Sequence, residues 1–170
     1  FAYNLSNSLV PMYYVGYVVK ESMILELAPT ISCLILAGKV GSNLSSELGT
    51  MRLTEQIDAL EIMGVNTISY LIGPKLAAAI TMVPILVVIS AITGIAGGMI
   101  AGDLTGYVSA DDFTQGILMN FVAKNIYIML TKAAVFGFLL TSISCYQGFY
   151  AFGSSIEIGK ASTRAVVLSS

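Results

Sequence analysis

The sequence has no histidine, two cysteines and few charges, with 11% of its 170 residues Asp, Glu, Lys or Arg. Each shortage removes a class of chemistry. Without histidine, and without a Cys-x-x-Cys pair, a transition-metal site lacks its usual ligands. A serine nucleophile likewise has no imidazole to activate it. Cys33 and Cys145 each lie inside an apolar run, where a thiol more often serves as a small hydrophobe than as half of a disulfide or redox pair. Gly38-Lys39-Val40 lacks the glycine spacing and the Ser/Thr of a phosphate-binding loop, so the chain itself is not expected to bind or hydrolyse ATP. A formal charge of −2 with no basic block gives no reason to expect a nucleic-acid partner.

The scarcity of charge also says where the chain resides. A soluble domain carries roughly 25% charged residues, whereas this one is 56% hydrophobic with a mean hydropathy of +0.84. No ionisable side chain occurs from Leu76 to Gly102, or from Ala133 to Ile156, apart from tyrosine and cysteine. Roughly 20 apolar residues cross a bilayer core as a helix. The expected fold is therefore all-α, a polytopic membrane helical bundle, and not a soluble helical protein with a large core.

The expected spans are residues 12–38, 74–102 and 125–148, with a further helix starting at 165–170. A polar-aromatic stretch, 1–10, precedes the first span and ends at Pro11. Pro29 falls inside the first span, where neighbouring helices can satisfy the carbonyl it frees. Pro74 is expected in the first turn of its helix. The chain opens without Met and closes on Arg-Ala-Val-Val-Leu-Ser-Ser, so it is expected to be a single partial domain of a longer protein, with flanking transmembrane helices missing. Lys39, Arg52 and Lys75 flank or occupy residues 39–75, Lys160 and Arg164 follow the third span, and Asp103, Asp111 and Asp112 lie between the second and third. The positive-inside rule then places the first two regions in the cytoplasm and the 103–112 loop outside. Small residues recur at four-residue spacing as Gly94, Gly98 and Gly102, and as Ala37, Gly41, Ser45 and Gly49. Such stripes serve close helix packing, either within one subunit or between subunits.

One polar island, residues 47–64, separates two apolar stretches. Leu53, Ile57, Leu60 and Gly64 follow a helical period, while Thr54, Glu55, Asp58 and Glu61 take the other side. A short helix over 51–64 is expected, with Thr54 as N-cap and Gly64 as C-cap. It either rests on lipid or docks a protein. Its acidic wet face suits a protein partner better than anionic headgroups.

The residues here carry a family resemblance. Glu26-Leu27-Ala28-Pro29, Ala37-Gly38-Lys39-Val40-Gly41-Ser42, Glu47-Leu48-Gly49-Thr50-Met51, Thr54-Glu55-Gln56-Ile57-Asp58-Ala59-Leu60 and Lys160-Ala161-Ser162-Thr163-Arg164-Ala165 resemble the MlaE (YrbE) family of ABC-transporter permeases. The resemblance extends over nearly the whole chain. Where family members often have Arg before the Glu-Leu-x-Pro glutamate, this chain has Leu25. The resemblance implies a non-enzymatic, homodimeric permease of the bacterial inner membrane. It would move phospholipids or related lipids between the inner and outer membranes, maintaining outer-membrane lipid asymmetry. Its implied partners are a cytoplasmic ABC ATPase that uses the ATP, a periplasmic MCE-domain lipid-binding protein and a small accessory cytoplasmic subunit.

It also implies that the island is a coupling helix seated in the ATPase. The candidate coupling residues are Met51, Arg52, Glu55, Gln56, Asp58, Leu60 and Glu61, within Met51 to Met63. Glu26 and Lys132, ionisable groups within spans, are candidates for an intramembrane pair or a lipid path. Alternatively Lys132 snorkels to the interface and a protonated Glu26 bonds a backbone carbonyl near Pro29. Two other functions fit the residues: an ion-coupled secondary transporter using Glu26 and Lys132 as coupling groups, and a membrane anchor for a cytoplasmic complex.

Overall fold

The computed structural model describes residues 13–106, 108–119, 122–151 and 155–169, all helix or short connection with no strand among them. The expected polar-aromatic segment 1–10, Pro11 and Met12 lie outside the described residues. Among the described residues three helices are long and apolar enough to cross a membrane: α1 (Tyr13–Leu53), α3 (Ile68–Leu104) and α5 (Ala123–Phe149). Between and after them come α2 (Gln56–Ile62), α4 (Ala110–Leu118) and α6 (Ser155–Ser169). Only 17% of the most apolar window of α3 is buried. Ile92, Ile100, Leu34 and Ile35 lie exposed along the long helices. Apolar surface this extensive belongs in hydrocarbon, and the chain is an all-α membrane bundle.

The first span does not end as a helix at residue 38. α1 has 41 residues, about twice the roughly 20 that cross a bilayer core. The helix continues past the expected end through the polar segment Ser42–Leu53. Two widened turns interrupt it, Met23–Leu27 and Ala37–Gly41, and a third opens α3 at Ile68–Ile72. The first and third each end two residues before a proline, Pro29 and Pro74. A proline cannot donate to the carbonyl four residues back, and its ring crowds that carbonyl. In α1 the Ala28 N–H reaches Met23 O, five residues back, widening the turn ahead of Pro29. Pro74 is thus not in the first turn of α3; Asn66 starts that helix, its Oδ1 accepting from Ser69 N at 3.2 Å.

Two further boundaries move. The 103–112 segment is not all loop, because α3 runs to Leu104 and α4 begins at Ala110. Ser109 caps α4, its Oγ accepting from Asp112 N at 3.2 Å and donating to Asp112 Oδ2 at 2.8 Å. The last helix begins at Ser155, ten residues before the expected start at 165, since its first turns are polar and carry no hydropathy signal.

Packing divides the described residues into two compact units, one within 13–30 and 86–131 and one within 31–85 and 132–169. In the first, α4 lies against the Tyr13–Ser22 part of α1. Val15, Val108 and Phe113 form its core, flanked by Val19, Ile95, Met99 and Ile117. In the second, α6 packs on the Ala37–Leu53 part of α1, burying Ala161 and Ala165. There α5 approaches α1 at Gly148, where a Cβ would stand 2.7 Å from Ser45 O and 3.0 Å from Leu48 Cβ.

Candidate functional site

The second unit presents α2 between the ends of two long helices. α1 closes at Leu53, and Thr54 Oγ1 donates back to Thr50 O at 2.9 Å. Thr54 therefore ends α1 and does not cap α2. Glu55 turns the chain with φ 58°, the one non-glycine residue with positive φ among those described. α2 then runs Gln56–Ile62 and stops at Gly64, φ 77°. Val65 N bonds Leu60 O at 3.1 Å and Gly64 N bonds Glu61 O at 3.0 Å, a Schellman closure that needs the left-handed glycine.

Ile57 is fully buried and seats α2. Arg52, on the last turn of α1, brings Nη1 to 2.9 Å from Asp58 Oδ1 and 3.9 Å from Glu61 Oε1. Its guanidinium carbon lies 5.8 Å from the Phe149 ring centroid at the end of α5. Glu61 Oε1 also accepts from Thr67 Oγ1 at 3.3 Å, next to the start of α3. Beside this, Lys75 of α3 pairs with Glu47 of α1 at 2.6 Å. Asp58 and Glu61 are half exposed, and exposed ion pairs contribute about 0.2–1 kcal/mol each. Burying an Ile side chain contributes about 1.5–3 kcal/mol. Ile57 thus holds α2 in place, and the charges mainly decide how it is turned.

Of the sequence-derived candidates, Met51 and Arg52 belong to α1, and Asp58 and Glu61 face Arg52. Leu60 is partly buried, whereas Glu55 and Gln56 are exposed. Ile62, 88% exposed, and Met63, 68% exposed, project from the end of α2. They lie off the Leu53–Ile57–Leu60 stripe, so periodicity alone gives them no role.

The first unit holds a polar cluster that the sequence pattern did not single out as a site. Lys20 is 2% exposed. Its Nζ donates to Met119 O at 2.8 Å, lies 3.6 Å from Glu21 Oε1 and sits 4.8 Å from the Tyr17 ring centroid. Asn125 Nδ2 donates to Glu21 Oε2 at 2.6 Å. Met119 is the C-cap of α4, so the ammonium neutralises the carbonyl end of that helix. The signal available in sequence was a Lys-Glu pair within an apolar span; its partners lie about a hundred residues away.

Glu26 lies exposed in the widened turn ahead of Pro29, and Lys132 lies partly buried on α5. They belong to different units. The stripe Gly94, Gly98 and Gly102 turns toward Met23, Val19 and Val108 respectively. Gly41, Ser45 and Gly49 are buried on α1.

The family model described as Permease MlaE matches residues 1–170. A "probable ABC transporter permease protein" of Rickettsia bellii is 38% identical over 156 residues, which is 92% of this chain and 60% of that protein. The similarly named protein of Synechocystis is 35% identical, covering 91% of this chain and 59% of its own length. That of Porphyra purpurea is 34% identical, covering 89% and 58%. The chain thus spans about 60% of the length of the relatives it matches. With the family model matching residues 1–170 on an all-helical membrane fold, the chain belongs to the MlaE permease family.

Proposed function

We propose that the whole protein is the permease subunit of an ABC transporter that moves phospholipids or related lipids between bacterial membranes, with α2 as the coupling helix. The observation carrying this reading is the exposed end of α2. Ile62 and Met63 stand out from a short helix whose other face is seated by Ile57 and tied to Arg52 of α1 and to Thr67 next to the start of α3. Large apolar side chains held clear of a rigid mount suit an apolar cleft in another protein. Relatives named as ABC transporter permeases support the same reading.

In this reading the protein is a homodimer of the bacterial inner membrane. A cytoplasmic ATPase uses the ATP, this chain binds none, and a small accessory subunit sits on the same side. A periplasmic MCE-domain protein exchanges lipid at the other side. The MlaE relationship supports these partners and the role in outer-membrane lipid asymmetry. The apolar spans offer acyl chains a path, and Glu26 and Lys132 are the ionisable groups that a headgroup would meet along it.

The test is reconstitution of the full-length protein with its ATPase in phospholipid vesicles. ATP should drive lipid transfer, and Ile62→Asp should weaken ATPase association by about tenfold or more, the effect of about 1.4 kcal/mol, with membrane insertion intact. Transport driven by a proton gradient without ATP would instead favour ion-coupled transport.

A further inference from the structure

The charged residues of the island divide by what they touch. Arg52, Asp58 and Glu61 are engaged with one another and with Phe149 and Thr67. Glu55 and Gln56 lie on the exposed side with Ala59, Ile62 and Met63. We propose that Arg52 is a positioning residue, a clasp that fixes the rotation of α2. Asp58 and Glu61 then serve the clasp, and the exposed set forms the face offered to the ATPase. This rests on the reading of α2 as the coupling helix.

The geometry requires such a device. α2 has seven residues, too few for a helix to persist without tertiary support. Ile57 sets its depth with Leu60 partly buried beside it, but both lie on one stripe and only weakly hold so short a helix against a roll about its own axis. Asp58 and Glu61 are three residues apart and so occupy neighbouring places on one face. One guanidinium reaching both carboxylates opposes that roll. Glu61 carries a second tie through Thr67 toward α3, and Phe149 lies beneath the guanidinium from α5. A load on Ile62 and Met63 is therefore delivered to α1, α3 and α5 together. Both carboxylates approach the same nitrogen, Nη1, while the guanidinium plane also lies over the Phe149 ring, a stacking surface that the compact ammonium of a lysine lacks.

The test uses the full-length permease in nanodiscs, alone and with its ATPase, comparing wild type with Arg52→Met, Arg52→Lys and the charge swap Arg52→Asp with Asp58→Arg. Amide hydrogen exchange over Gln56–Ile62 in the permease alone reports the clasp directly. Lipid moved per ATP hydrolysed in the complex reports its use. Arg52→Met should speed exchange and lower lipid per ATP, each by about fivefold or more, the low end for coupled sites. The ATPase should still copurify. Arg52→Lys should fall between, and the swap should recover part of both losses. A stability defect alone would not give loss of coupling with assembly retained and charge-swap rescue. Unchanged exchange in Arg52→Met overturns the clasp. So does loss of ATPase association with exchange unaltered, because Arg52 would then touch the partner. If wild-type permease recruits no ATPase yet its exchange responds to Arg52 and to the swap, the clasp stands and the coupling-helix reading fails.

Discussion

A single Cβ separates contact from collision where α4 crosses α1. At Gly116 it would fall on Tyr13 O and lie 2.9 Å from Tyr17 N, with Gly16 facing it from the other helix. Gly116→Ala must push two backbones apart, and overpacking of this kind costs about 1–3 kcal/mol. Thermal unfolding of the full-length protein in detergent should show the loss. Thr141 gives the opposite expectation. Its hydroxyl is buried with no hydrogen-bond partner among the described residues, and replacing an unsatisfied polar group by an apolar one of the same shape is nearly neutral or stabilising. Thr141→Val should leave the same melting temperature unchanged or raise it. Spacing made the Gly94–Gly98–Gly102 stripe visible in the sequence, whereas Gly116 has no such companion. What fixes it is the backbone of Tyr13 and Tyr17, about a hundred positions away, and single-chain periodicity carries nothing about such a partner. Lys20 teaches the same lesson, since a charge within an apolar span is easily seen but its acceptor is the Met119 carbonyl.

At the scale of elements, apolar runs are legible in the sequence and polar helix ends are not. The apolar parts of α1, α3 and α5 follow directly from the uncharged stretches, because hydrocarbon length is a hard constraint. Continuation of α1 to Leu53, the early start of α6 and the existence of α4 rest on hydrogen bonding and packing that hydropathy does not encode. α4 starts on the reciprocal contacts of Ser109 with Asp112. The island was legible as a helix with its glycine stop, but its start was misplaced. Thr54 looks like an N-cap by residue type, and the chain in fact turns at Glu55, which adopts a left-handed conformation that residue type does not favour. That turn yields a paired prediction. Glu55→Gly relieves the backbone but frees the unfolded chain, effects of about 1 kcal/mol each in opposite directions, so stability should change little. Glu55→Pro cannot take the required φ and removes the N–H that bonds Arg52 O at 3.2 Å. It should abolish ATPase association, measured by copurification, with the protein still inserted in the membrane.

At the scale of the whole molecule, the proposed mechanism depends on which side of the bilayer α2 occupies. Few charges decide it: Lys39, Arg52 and Lys75 near α2, and Lys160 and Arg164 in α6, against Asp103, Asp111 and Asp112 around the α3–α4 connection. Counted this way, the positive-inside rule puts α2 and α6 in the cytoplasm and the α3–α4 connection outside. In that arrangement the polar Ser42–Leu53 portion of α1 would stand in water together with α2. Cys33 and Cys145 are both buried, so neither should compete in a labelling test. Thr105 and Gln56 are exposed, so a cysteine at either should be reachable from its own side. In intact spheroplasts a membrane-impermeant maleimide should label Thr105→Cys of the full-length protein and leave Gln56→Cys unlabelled until the membrane is opened. The reverse pattern would place α2 away from the compartment that holds ATP, and no ATPase could then drive the permease through it.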